Sequence, residues 1–146
     1  MKKLISFLFI FFIFNAVTSA QTDTIRINGI KFITVKQTAK NIDFDDKKDT
    51  VLKFYRMENG KAKYLLSHYL YAYSADFNNE FTDIGSYQIQ NDSLIFITKY
   101  RQKTGLDPIP VMRRQIYKAD VKGKLTKVYD REQKRSGEWV EVQTNH

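Results

Sequence analysis

Short alternating apolar segments separated by tight-turn dipeptides constrain this chain more than any other feature of its sequence. Asn28-Gly29, Asn59-Gly60, Asn91-Asp92 and Lys122-Gly123 each stand between two such segments. Asparagine followed by glycine favours two-residue hairpin turns, because both residues tolerate a positive φ angle. The pattern predicts successive antiparallel strands joined in chain order, and therefore an all-β protein.

The predicted strands cover most of the chain after residue 23. Residues 36–49 are expected to form a loop because they are largely polar and acidic, and residues 104–110 because Pro108 and Pro110 cannot donate to a strand ladder. The strand segments are 24–35 with a turn inside it, 51–57, 85–90, 93–101, 111–121, 125–130 and 139–142.

Residues 61–75 fit two structures. Their apolar side chains recur at the spacing of an amphipathic helix, at Ala62, Leu65, Leu66, Tyr69, Leu70 and Tyr73. Against the helix, the segment is rich in tyrosine, which favours strands, and it follows the hairpin dipeptide Asn59-Gly60. We predict a strand here; the alternative is an α+β fold with one helix packed on the sheet.

A meander of seven or eight strands buries its apolar faces by curling into a barrel or folding into a sandwich. One hairpin, residues 82–96, adds a family resemblance: Gly85-Ser86-Tyr87 leads through Asn91-Asp92 to Leu94-Ile95-Phe96. This run resembles a hairpin of small secreted bacterial lipocalin-like proteins. The resemblance implies an up-and-down barrel and a binding role. We therefore expect an antiparallel meander that closes into a lipocalin-like barrel or a sandwich.

The N-terminus has the organisation of a secretory signal peptide. Lys2 and Lys3 precede the apolar residues 4–14, and small Thr18 and Ala20 stand before the expected cleavage site. A membrane-spanning helix needs roughly 20 apolar residues, so no stable membrane anchor is expected. We predict a signal peptide over residues 1–20, a single β-rich domain over residues 21–146, and export to the periplasm or the extracellular space.

The positive charge of the chain lies in its C-terminal third. The formal net charge is +8; residues 97–146 carry +6, whereas residues 21–96 are neutral. This distribution favours an acidic partner. A protein-interaction module, such as an inhibitor or immunity-type protein of the envelope, would use the basic face around Lys124, Lys127 and Arg131. Basic and aromatic side chains together also suit single-stranded nucleic acid, but export makes that partner unexpected.

Several chemistries are excluded or disfavoured by residue type. The chain has no cysteine, which excludes disulfides and thiol nucleophiles, and only two histidines, His68 and His146. We expect His68 to be structural. The acidic run 41–46 lacks the glycine and glutamate of an EF-hand, so we interpret it as a solvated loop. No cofactor, metal site or catalytic residue is predicted. An enzyme that uses two carboxylates is the remaining catalytic alternative, but the sequence does not show which two would lie together.

The dipeptide Arg113-Arg114 carries the binding hypothesis. Neighbours along a strand face opposite sides, so one of the two arginines must face the interior of a curled sheet. Arg113 shares its face with Gln115 and Tyr117, and a buried guanidinium can hold a carboxylate or phosphate with two hydrogen bonds. The alternative is that the inward arginine pairs with an internal Asp or Glu. The predicted ligand-binding residues are Arg113, Arg114, Tyr117 and Arg101.

Two functions follow from these patterns. The first is an exported, non-catalytic binding protein whose β-barrel holds a small anionic or amphipathic ligand. The alternative is an envelope protein-interaction module that presents its basic C-terminal face to an acidic protein.

Overall fold

The computed structural model describes residues 17–76, 79–104 and 109–142, and these residues form an antiparallel all-β meander. The described part contains nine strands and no helix. The strands are β1 (Val17–Ile27), β2 (Ile30–Lys40), β3 (Lys48–Glu58), β4 (Lys61–Asp76), β5 (Asn79–Gln90), β6 (Ser93–Thr104), β7 (Met112–Ala119), β8 (Leu125–Gln133) and β9 (Trp139–Glu141).

Each strand pairs with the next, in the spatial order β1 to β9. The predicted hairpin turns are confirmed at Asn28-Gly29, Asn59-Gly60 and Asn91-Asp92, where both residues of each pair have φ between 49° and 75°. Such mirror-image turns match the right-handed twist of the strands that they join. The strand alternative for residues 61–75 is also confirmed, because β4 pairs with β3 on one side and β5 on the other.

The predicted loops differ in length from the observed ones. β2 continues to Lys40 and β3 begins at Lys48, so the loop predicted over residues 36–49 is only 41–47. Cross-strand pairing at Gln37 and Thr38 extends the ladder beyond the point where apolar alternation ends. Of the loop predicted over residues 104–110, Thr104 belongs to β6 and residues 105–108 lie outside the described residues.

The expected closure into a barrel or a sandwich is not found. The nine strands form a single sheet, and within the described residues β1 and β9 are not hydrogen-bonded to each other. β9 has three residues, all paired on its β8 side, so it offers little ladder for closure. The antiparallel all-β meander is therefore confirmed, and its closure into a lipocalin-like barrel is not.

The sheet buries its apolar face by curling at one end. Phe32, Phe54 and Phe96 are almost fully buried and join a cluster that also contains Ile27 of β1 and Ala119 of β7. Strands from the two halves of the sheet thus meet in one core, which burial of their apolar area stabilises. We call the face that carries these residues the core face, and the opposite one the outer face.

The tight turns close the end of the sheet where the core lies. Asn28 Nδ2 donates a hydrogen bond to the carbonyl oxygen of Ala119 (3.1 Å), and Arg56 donates to the carbonyl of Lys122. We call this the closed end. The opposite, open end carries the loop 41–47, residues 109–111 and the turn 134–138.

Residues 1–16 of the predicted signal peptide lie outside the described residues. β1 begins at Val17, four residues before the expected cleavage site. Cleavage after Ala20 would leave residues 21–27 of β1, which pair with residues 30–36 of β2.

Candidate ligand-binding site

The core face changes from apolar at the closed end to polar at the open end. On β7, Tyr117 packs edge-on against Phe96 with 5.6 Å between ring centroids, and burial raises the pKa of Tyr117. Two and four residues nearer the open end, Gln115 and Arg113 both contact Asp130 of β8. Strand alternation thus places Arg113, Gln115 and Tyr117 together, as their spacing predicted.

Arg113 binds Asp130 with two hydrogen bonds. Nε donates to Oδ1 and Nη2 donates to Oδ2, each at 2.8 Å. The side chains are 27% and 14% exposed, so this is a half-buried pair with the parallel geometry that a guanidinium and a carboxylate favour. The inward arginine is therefore Arg113, and it pairs with an internal carboxylate, Asp130, which was the alternative to a ligand.

Asp130 receives two further donors, and its titration reflects all of them. Gln115 Nε2 donates at 3.2 Å and Lys127 Nζ at 2.7 Å, both to Oδ2. Burial acts to raise the pKa of Asp130, but the hydrogen bonds from Arg113, Lys127 and Gln115 outweigh it and lower this pKa to about 2. The hydrogen bonds to Asp130 in turn raise the pKa of Arg113. Asp130 is therefore a fixed anion between two fixed cations.

Tyr100 of β6 and Glu132 of β8 form the second polar contact of the open end. The Tyr100 hydroxyl donates to Glu132 Oε1 at 3.3 Å. Burial, followed by the negative charge of Glu132, raises the pKa of Tyr100 to about 12. The phenol stays protonated at neutral pH and remains a hydrogen-bond donor.

A pocket of about 310 Å³ is lined by both residues of the Tyr100–Glu132 contact. Its apolar walls are Phe81, Ile109 and Pro110. Its polar lining comes from Ser74, Asp83, Tyr100 and Glu132. Apolar walls with a few converging polar groups are the usual make-up of a small-molecule site.

Asp83 lines the pocket without a hydrogen-bond or ion-pair partner among the described residues. It lies directly opposite Tyr100 in the β5–β6 ladder. Within the described residues its carboxylate makes no hydrogen bond or ion pair, and burial raises its pKa. The pocket thus contains a half-buried carboxylate whose oxygens are not satisfied by the part of the protein that the structure describes.

The four residues predicted to bind a ligand are not brought together. Arg113 and Tyr117 lie on the core face. Arg114 lies on the outer face with its Nε buried and without a hydrogen-bond partner in the described part of the chain, and exposed Arg101 lies opposite Thr82 on that same face. Sequence reasoning missed the pocket residues Asp83, Tyr100 and Glu132. The available signal was their position on alternating strand residues that point inward.

The other candidate residues have structural roles. His68 is buried and stacks on Phe96, with ring centroids 4.3 Å apart. In the acidic loop, Asn41 Oδ1 accepts hydrogen bonds from the backbone N–H groups of Asp43 and Phe44. Asn41 Nδ2 donates to Asp49 and to the carbonyl of Tyr73. These contacts tie the loop to β3 and β4.

The basic residues of the C-terminal third are divided between several places. Lys127 pairs with Asp130, Arg131 lies 3.4 Å from Glu141 and over the ring of Tyr129, and Lys124 is exposed in the β7–β8 turn. Lys127 and Arg131 lie on opposite faces of β8.

Within residues 17–76, 79–104 and 109–142, no group of three or more His, Cys, Asp or Glu side chains is arranged to hold a metal ion. The same residues contain no helix that is long and apolar enough to span a membrane. No protein-family model matches the chain, and no curated protein or solved structure is detectably similar to it.

Proposed function

We propose that this protein is an exported, non-catalytic binding protein that holds a small amphipathic ligand in the pocket at the open end of its core face. The observation that carries the proposal is the pocket itself. The closed end of the same face is filled by Phe32, Phe54 and Phe96, whereas the open end keeps about 310 Å³ between Phe81, Ile109 and the polar group of Tyr100.

The composition of the pocket favours an amphipathic ligand over a purely anionic one. Phe81, Ile109 and Pro110 offer contact to an apolar body, while Asp83 and Glu132 offer acceptors to its polar end. Arg113, the residue expected to hold an anion, already binds Asp130 with two hydrogen bonds. A curled meander with one filled and one open end supports the binding role that the lipocalin-like resemblance implies.

Binding is best tested with a neutral fluorescent amphiphile, N-phenyl-1-naphthylamine, whose emission rises in apolar surroundings. Ser74 lines the pocket, so Ser74→Trp should fill it and abolish the rise. Ser67 is exposed on the same strand but does not line the pocket, so Ser67→Trp should keep the rise and serves as the matched control. A missing rise with the parent protein, or an equal rise with both variants, would refute the proposal.

Export is tested by the mass of the protein recovered from the periplasm or medium of an expressing bacterium. The proposal requires a chain that begins at Gln21. A full-length chain retained in the cytoplasm would contradict it.

The outer face supports a second candidate, an interaction module for an acidic protein. Lys99, Arg114 and Arg131 lie on the outer side of β6, β7 and β8, and Arg114 is directly opposite Arg131. Among described residues, Arg131 is the one of these three with an acidic neighbour, the exposed Glu141. A complex of this kind would weaken steeply with added salt and with Arg131→Glu, and would tolerate Ser74→Trp.

A further inference from the structure

The acidic and basic side chains near the pocket differ in whether they already have a charged partner. Asp83 and Glu132 both line it, so two carboxylates face the space that a ligand would enter. The nearest cations of the core face are Arg113 and Lys127, and both bind Asp130. Both cations are thus already paired with a carboxylate, whereas Asp83 and Glu132 are not neutralised by an ion pair in the described part of the protein.

Of the two carboxylates, Asp83 is the one that lacks a hydrogen-bond donor among the described residues. Its neighbour Tyr100 directs the hydroxyl to Glu132 and not to Asp83. Removing a carboxylate from water without giving it a hydrogen-bond donor costs free energy, which is why burial raises its pKa. A ligand that brings a donor to Asp83 would remove that cost, and a cationic donor would remove most of it.

The remaining walls limit the kind of cation. Phe81, Ile109 and Pro110 cannot coordinate a metal ion through their side chains, and the described residues hold no group of three metal-binding side chains. The same walls suit an apolar body, and an aromatic ring such as that of Tyr100 can attract a positive charge through its π face.

We infer that the pocket takes an organic cation, an ammonium group carried on a compact apolar body, with Asp83 and Glu132 as its acceptors; this inference rests on the proposed binding function. The ammonium would lie between the two carboxylates and the Tyr100 ring, and the apolar body would contact Phe81, Ile109 and Pro110.

The test uses three probes of nearly equal size, with the full mature chain and isothermal titration calorimetry at neutral pH. The probes are 2-phenylethylamine, 2-phenylethanol and 3-phenylpropanoate. We expect the amine to bind at least about tenfold more tightly than the alcohol, because charge-assisted hydrogen bonds exceed neutral ones by about this factor. The carboxylate should bind most weakly.

The outcomes separate the two proposals. If the alcohol binds as tightly as the amine, the pocket is a binding site but the inference of a cation is overturned. If 3-phenylpropanoate binds best, the inference is overturned in favour of an anion at Arg113. If none of the three binds and N-phenyl-1-naphthylamine does not either, the proposed function itself fails.

Variants locate the effect. Asp83→Asn and Glu132→Gln should each lower the affinity for 2-phenylethylamine about tenfold and lower the affinity for 2-phenylethanol by a smaller factor, because the alcohol carries no charge. Asp92→Asn makes the same chemical change in an exposed turn and should alter neither affinity. Equal affinities of the parent protein and Asp83→Asn for the amine would overturn the assignment of Asp83.

Discussion

The imidazole of His68 stacks on the ring of Phe96, with the centroids 4.3 Å apart and the planes inclined by 17°. His68 belongs to β4 and Phe96 to β6, so the contact passes over the intervening strand β5. Gly85 of β5 makes this possible because it has no side chain: a Cβ atom there would lie 2.7 Å from His68 Nε2 and 1.8 Å from the carbonyl oxygen of Tyr69. The junction between the apolar and polar ends of the core face therefore depends on one glycine.

Gly85→Ala should destabilise the protein by more than about 3 kcal/mol, because the Cβ atom meets backbone that cannot move without breaking the ladder. Gly60→Ala is the control. Its Cβ would meet nothing within 4 Å, and the positive φ of 75° alone should cost about 1–2 kcal/mol. Urea denaturation followed by tyrosine and tryptophan fluorescence measures both. Equal losses would show that close packing at Gly85 is not the cause.

His68 should make stability fall in mild acid. Burial lowers its pKa to about 4, although the carbonyls of Ile97 and Ser86 favour the charged ring. Between pH 6.5 and 4 the unfolded chain binds a proton at this position and the folded chain does not, so the free energy of unfolding decreases as pH falls through that window.

His68→Phe keeps an aromatic ring against Phe96 and removes the titration. We expect the variant to lose the part of the pH dependence that lies between pH 6.5 and 4, a difference on the order of 2–3 kcal/mol. Unfolding midpoints in urea at pH 7.5, 6 and 4.5 give the comparison. An identical pH dependence in the parent and the variant would contradict the assignment.

Asp130→Asn should destabilise the protein by about 2 kcal/mol at neutral pH, because the charge that holds Arg113 and Lys127 is lost while both cations stay in place. Glu141→Gln, at an exposed ion pair with Arg131, should cost less than about 0.5 kcal/mol. Chemical denaturation distinguishes the two.

The same pair predicts a separate acid limb. Because the folded pKa of Asp130 is about 2, its contribution is complete above the unfolded pKa of about 3.9 and is lost as pH falls towards 2. The Asp130→Asn variant should lack this limb. A parent protein whose stability does not change between pH 4 and 2.5 would argue against the pair.

Asp83→Asn should increase stability at neutral pH. The folded pKa of Asp83 is raised by burial, which means that the charged form is less favourable in the folded than in the unfolded chain. Asparagine removes that charge and keeps the shape. The free energy of unfolding at pH 7 checks this prediction; a loss of stability would show that the carboxylate has a stabilising partner.

Local sequence patterns predict the hairpins because turn residues and strand alternation act over a few positions. Asn28-Gly29 and Asn59-Gly60 determine where strands reverse, and alternation places Arg113 with Gln115 and Tyr117. The turns at Asn28-Gly29, Asn59-Gly60, Asn91-Asp92 and Lys122-Gly123 recur every 31 or 32 residues along the chain. They join β1 to β2, β3 to β4, β5 to β6 and β7 to β8, so all four lie at the same end of the sheet.

The partner of Arg113 could not be predicted in this way, because it depends on a bulge. β7 and β8 are regularly paired from Ala119 and Leu125 to Tyr117 and Lys127, and then the register shifts by one residue. Without that shift Arg113 would lie opposite Arg131; with it, Arg113 lies opposite Glu132 and next to Asp130. A bulge is an irregularity of backbone pairing that leaves no clear pattern in the side chains.

The curvature of the sheet and the pocket depend on contacts that are distant in sequence. Tyr100 and Glu132 are in different strands separated by β7, and their contact needs the local curvature of the sheet. Periodicity gives the face of each residue but not the curvature, so the sequence suggested an enclosed space without showing that β1 and β9 stay apart.

Nuclear magnetic resonance is the sharpest test of a ligand pocket at the open end of the core face. The ¹⁵N-labelled mature chain is titrated with 2-phenylethylamine, and the chemical-shift changes of its backbone amides are followed. Saturable shifts are expected at Ser74, Phe81, Asp83, Tyr100 and Glu132, and none at the closed-end turns. Shifts confined to the outer face around Lys99 and Arg131, or no shifts at all, would contradict a pocket at the open end.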